Sequence, residues 1–226
     1  MKIFNEEIAI LTTIFINNAD INVKSKQEKF LVNNFQFYGI LTSKRKPLVK
    51  SLLNKWNKTL PLAIKKELFR ELYLQKNREF QYTAMEFLSL WWKQNLNFND
   101  LDWLLLIIKH NIWWDTTDYF DNIIGVLIFS NSDISIRNQY LFKLINDSNF
   151  WMQRIAIQTQ LMFKEKTNFD LLFTLITPLL LTPNFYLIRA IGWALRNAKR
   201  VNESKVNNFI KINNVSKKII SVINEH

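Results

Sequence analysis

The chain has 226 residues, with no Cys, two His (His110 and His226), three Gly (Gly39, Gly125 and Gly192) and a net charge of +11 from 30 Lys and Arg against 19 Asp and Glu. The missing thiols exclude disulfides, thiolate metal sites and a Cys nucleophile, two His leave no multi-His metal site and no His-based triad, and three Gly write no phosphate-cradling loop. The positive surplus points first to nucleic acid or another anionic surface.

In chain order, Met1–Ile16 is apolar but interrupted by Glu6 and Glu7, unlike a basic segment followed by a clean apolar core. The strongest apolar run, Leu171–Leu181, is too short to span a bilayer. The protein is therefore expected in the cytoplasm, associated with the nucleoid if DNA is its partner, and not with a membrane. A basic helix is predicted over Val23–Asn33, carrying Lys24, Lys26, Lys29 and Phe30. From Thr42 to Lys66 there are eight basic residues, Lys44, Arg45 and Lys46 among them, and no acid. From Arg196 to Lys218 seven basic residues, including Lys217, face one Glu203. Two such clusters suit the rims of a groove that grips phosphates, with binding that weakens steeply as salt rises.

Periodicity is helical nearly throughout. Phe69, Leu72, Tyr73 and Phe80 fit helical spacing, as do Phe87, Leu88 and Trp91. Short polar breaks fall at Asn17–Asn22, Asn95–Asp100, Asn131–Asp133, Asn146–Asn149 and Thr182–Asn184. Ten or more helices and no strand are predicted, so the fold class is all-α.

Four segments align as a repeat: residues 77–84 (NREFQYTA), 111–118 (NIWWDTTD), 149–156 (NFWMQRIA) and 184–191 (NFYLIRAI). Their starts lie 34, 38 and 35 residues apart, an interval that suits stacked helix pairs of the HEAT, armadillo or TPR kind. Each leading Asn is placed to cap a helix. A single domain over residues 1–226 is expected, a curved array whose concave basic face takes a long ligand.

The alignment contains one anomaly. Its eighth position holds Ala84, Ala156 and Ile191, which a helix buries, but Asp118 in the second segment. A buried carboxylate is costly without a partner. Either it is used, or it caps locally, or this helix is rotated toward solvent. Trp114, four residues earlier, shares its face. The sixth position carries Arg154 and Arg189, either of which can reach a phosphate or pair with Asp118. Trp193 follows Arg189 by one turn.

At 113–118, WWDTTD resembles the WWDT-x-D signature of the AlkD family of DNA alkylation-repair glycosylases. Residues 149–156 and the segment 189–196 (RAIGWALR) resemble two further segments of that family, in order and at matching distances; residues 34–40 and 78–81 also match. The likeness runs from about residue 25 to 212, and Thr117 stands where the motif is usually apolar. It implies HEAT-like repeats, duplex DNA on the concave face, and excision of purines alkylated at N3 or N7. It also implies Trp114 and Trp193 as aromatic walls, Asp118 as the catalytic carboxylate and Arg154 as a backbone-binding partner beside it. The basic helix with Lys24, Lys26, Lys29 and Phe30 is implied to enter the minor groove.

A purine already alkylated at N3 or N7 is cationic and leaves neutral, so no general acid is needed. One carboxylate near the oxocarbenium-like sugar, and indole faces for the cations, suffice. No cofactor or metal is expected; no Lys nucleophile is evident, which predicts a monofunctional enzyme; and the protein is expected to be a monomer. The alternatives are a catalytically inactive DNA-binding protein of the same fold and a protein-interaction solenoid.

Overall fold

The structure is a computed structural model that describes residues 4–225; Met1 to Ile3, at the head of the Met1–Ile16 segment, and His226 lie outside the described residues. The chain divides into two compact units, one of residues 1–96 and 102–111 and one of residues 97–101 and 112–226. Among the described residues every regular element is helical, and the one β-bridge, Gln36 with Asn77, is isolated.

The first unit contains α1 (Asn5–Asn17), α2 (Ile21–Phe30), α3 (Thr42–Thr59), α4 (Leu62–Tyr73), α5 (Arg78–Ser89) and α6 (Trp92–Asn95), and α7 (Leu101–Ile108) apart from its first residue. The predicted apolar spacing is its core: Phe69, Leu72, Tyr73, Phe80, Phe87, Leu88 and Trp91 are all buried. The predicted basic helix starts and ends earlier than expected. Asp20 caps α2 by accepting the Asn22 and Val23 amides at 2.8 and 3.2 Å. Its end is enforced by Val32 and Asn33, both at φ 57, a left-handed pair that no helix continues through.

No residue of α2 is buried, so polar bonds hold it. Lys24 Nζ donates to Glu28 (2.6 Å) and to the Phe37 carbonyl (3.0 Å), and Gln27 donates to the Ile40 carbonyl (3.1 Å). Behind that segment the buried Glu79 accepts the Tyr38, Gly39 and Ile40 amides at 2.9–3.2 Å. Gly39 is at φ +94, and a Cβ there would run into the Asp20 and Lys24 backbone. The segments at 34–40 and 78–81, separate in sequence, are thus packed on one another.

The second unit contains α8 (Trp114–Phe129), α9 (Ile134–Ile145), α10 (Phe150–Gln158), α11 (Phe169–Ile176), α12 (Phe185–Val201), α13 (Glu203–Ile212) and α14 (Lys217–Ile223). Helix α10 packs against both α8 and α12, and α14 packs on α12. Gly125 lets α8 close on the backbone of Thr159 at the end of α10, where a Cβ would overlap the Thr159 carbonyl. Asn149 and Asn184 cap α10 and α12 as expected, accepting the Trp151 amide (3.0 Å) and the Tyr186 amide (2.9 Å).

The other two repeat asparagines do not. Asn77 sits at the α5 cap position without a side-chain bond. Asn111 donates its side-chain amide to the Tyr73 carbonyl (2.8 Å), and α8 begins after Trp113 instead. Thr116 Oγ1 reaches back to accept the Trp113 amide (3.0 Å), half of a capping box. This late start corrects the repeat. The four equivalent helices begin at 78, 114, 150 and 185, a more even interval than the aligned asparagines gave.

Candidate active site

Counting from the true helix starts, the seventh helical position holds Ala84, Phe120, Ala156 and Ile191, each fully buried. The fifth position holds Tyr82, Asp118, Arg154 and Arg189. Asp118 therefore does not stand in a core position. Its side chain is 34% exposed, and Phe120 fills the slot that the sequence alignment had assigned to it. Thr117 is buried, and its hydroxyl donates to the Trp114 carbonyl (2.9 Å), which is why a Thr fits a place usually apolar.

Arg154 supplies the partner. Its guanidinium is buried, with Nη2 donating to Asp118 Oδ1 at 2.7 Å and Nη1 to the Tyr186 carbonyl at 2.7 Å. Both terminal nitrogens are used inside the unit. Arg154 thus holds the carboxylate, the pairing with Asp118 that the sequence allows beside a phosphate contact. Short charge-assisted bonds of this kind orient as well as stabilise.

Trp193 lies across the same group, with the Arg154 guanidinium 5.1 Å and the Arg189 guanidinium 5.2 Å from its ring centroid. Arg189 in turn donates to Glu225 Oε1 at 2.6 Å, and Arg196 donates to the Glu225 carbonyl at 3.0 Å. The structure therefore joins Asp118, Arg154, Trp193 and Arg189 in one chain of contacts. Trp114 opens α8 one turn before Asp118 and is half-buried.

Asp121, one turn beyond Asp118, is buried, and its carboxyl is pushed up to about 7. Burial is the main cause and the charge of Asp118 the second; the Asn122 amide and Arg154 pull the other way. Among the described residues no cluster of three or more His, Asp or Glu is placed to hold a metal ion.

The basic residues fall into different situations. In the first unit Lys26, Lys29 and Phe30 are exposed on α2, whereas Lys24 is tied to Glu28 and the Phe37 carbonyl. Lys44 is exposed and donates to the Asn18 carbonyl at 3.3 Å; the Lys46 side chain is 61% exposed and 4.0 Å from Glu86. Arg45 is not a surface cation. It is buried, bonds both Glu86 oxygens at 2.8 and 2.9 Å and Thr83 at 3.2 Å, and so belongs to the α3–α5 packing. In the second unit Lys217 and Lys218 are exposed in the first turn of α14.

A helical-repeat protein with a partly exposed carboxylate held by a buried arginine, itself against an indole, is the class that fold and site define. The family model of the DNA alkylation repair enzymes matches residues 11–222, and the chain belongs to that family. It is also similar to a solved structure described as a predicted DNA alkylation repair enzyme from Enterococcus faecalis, with 26% identity and a TM-score of 0.79 over 92% of this chain and 96% of that one. No curated protein matches.

Two residues of the cluster escaped sequence reasoning. Asp121 had a signal, an acid one turn from Asp118 on a largely apolar helix. Glu225 had none, because its link to Arg189 spans 36 residues.

Proposed function

We propose that the protein is a monofunctional, monomeric DNA glycosylase that hydrolyses the N-glycosidic bond of cationic N3- and N7-alkylated purines, such as 3-methyladenine and 7-methylguanine, in duplex DNA. The observation that carries this reading is the Asp118–Arg154 pair: a partly exposed carboxylate held at 2.7 Å by a buried guanidinium. The damaged base leaves as a neutral molecule, so the reaction needs no protonation of the leaving group. It needs negative charge beside the sugar as the bond lengthens, already in place and not reorganising. Asp118 provides that charge and takes a proton from the attacking water. Trp114 supplies an aromatic face for the cation, worth roughly 0.5–2 kcal/mol. Trp193 packs Arg154 and turns to the substrate as Arg189 leaves it for a phosphate.

Phosphate contacts come from the exposed Lys26, Lys29, Lys44, Lys46, Lys217 and Lys218, with Arg189 and Arg196. The test is release of 7-methylguanine or 3-methyladenine from methylated duplex DNA by wild type and Asp118→Asn. Release by wild type and not by the variant supports the reading. Wild-type protein that binds the duplex and releases nothing at any salt concentration leaves a DNA-binding protein of the same fold.

A further inference from the structure

Asp121 plays no part in the reaction as described, yet it is buried beside the residues that carry it. It lies three residues beyond Asp118 on α8, so both carboxyls share one side of the helix. Its one hydrogen bond among the described residues comes from the amide of its neighbour Asn122. Arg154, from α10, has Nη1 and Nη2 bonded, while its buried Nε–H has no acceptor. The Asp121 carboxyl and the Arg154 guanidinium attract each other across the α8–α10 packing. A buried guanidinium N–H without an acceptor is uncommon and marks a place where state can change.

The charged groups bearing on Asp121 are Asp118 on its own helix and Arg154 on α10. Those on the other elements packed against α8 are engaged elsewhere. Asp100, in the turn 98–100, accepts the Asn97 amide; Arg137 and Lys143 of α9 lie over the Phe129 and Tyr140 rings; and Asp133 caps α9.

We propose that Asp121 is a positioning residue for the Asp118 site, which in its neutral form leaves Arg154 wholly to Asp118 and in its ionised form draws on Arg154 and adds a second negative charge behind the first. The inference rests on the glycosylase reading of Asp118. Both consequences of ionisation have one sign. Asp118 is less neutralised by Arg154, and the sugar cation meets more negative charge. Excision of a cationic purine then rises as pH increases through the Asp121 titration. Asp121→Asn fixes the neutral form in nearly the same shape.

The experiment has two arms. Carboxyl carbon NMR of the free protein is expected to show a side chain titrating near 7, absent in Asp121→Asn and moved to lower pH in Asp118→Asn, which removes a neighbouring negative charge. Single-turnover release of 7-methylguanine from duplex DNA, followed from pH 5.5 to 8.5, is expected to rise up to about tenfold in wild type and to stay flat in a folded Asp121→Asn. Asp121→Glu is expected to restore a rising limb. A wild-type profile that coincides with Asp121→Asn, or a midpoint unmoved by Asp118→Asn, overturns the role of Asp121 and leaves the glycosylase reading standing. Wild type that excises at no pH overturns both.

Discussion

Arg154 Nη2 donates to Asp118 Oδ1 at 2.7 Å, and the two side chains differ in exposure, 2% against 34%. The pair is therefore asymmetric. The cation is locked in by the Tyr186 carbonyl and the Trp193 ring, while the anion keeps an open side. A buried cation that holds a partly solvated anion spends its charge on geometry, and geometry is what a preorganised site requires.

Replacing the carboxylate by its amide tests charge apart from shape. Asp118→Asn retains an oxygen that accepts from Arg154, so thermal unfolding should stay close to wild type. Excision of 7-methylguanine should fall by about 10²–10³-fold. Single-turnover kinetics on methylated duplex measures the second, and duplex affinity should be largely retained.

Truncating the cation should affect both. Arg154→Ala removes a buried side chain and leaves the Tyr186 carbonyl and Asp118 without their donor, a loss of about 2–4 kcal/mol in urea unfolding. Arg154→Lys keeps the charge but not the two-way fork, and should recover stability better than excision. Equal excision by Lys and Arg would show that the fork does not matter.

Asp121 links the site to stability. Its folded-state value is raised to about 7 from 3.8, so the folded protein holds the proton more tightly than the unfolded chain does. The sign follows from that. The stabilising contribution is complete below about pH 4 and is lost as pH rises toward 7. Asp121→Asn should thus be more stable than wild type at pH 8, by about 4 kcal/mol at most, and show no gain at pH 4. Melting curves at the two pH values measure it.

Glu225 holds Arg189, one of the proposed phosphate contacts. Glu225→Gln should raise affinity for unmodified duplex by a few-fold and steepen the salt dependence by about one released ion. Titrations at several salt concentrations read both, and unchanged slopes would remove Arg189 from the phosphate contacts.

The repeat register is open to a simple stability test. Phe120→Ala should cost about 3–5 kcal/mol, as expected of a wholly buried aromatic. Val126→Ala, at an exposed position of α8, should stay within about 0.5 kcal/mol of wild type.

Much of this was legible in the residues themselves. Helical spacing identified Phe69, Leu72, Tyr73, Phe80, Phe87, Leu88 and Trp91, all of them buried, because one helix face repeats at a fixed interval whatever it packs against. The caps at Asn149 and Asn184 were equally local. The register of α8 was not legible, because Asn111 looks like its sisters and is diverted by the Tyr73 carbonyl, a partner 38 residues away.

By itself, then, the sequence determined the all-α class, the helix period, the positive charge and the residue types able to serve a cation. These follow from composition and from interactions within one or two turns. Only the tertiary structure decided which charges are spent internally. Arg45 reads as one more surface cation, and Arg154 as a phosphate contact or a partner of Asp118, yet both are buried against carboxylates that the chain delivers from 41 and 36 residues away. Whether an arginine reaches outward or holds a carboxylate inside depends on what packs across from it, and spacing along one helix carries no record of that.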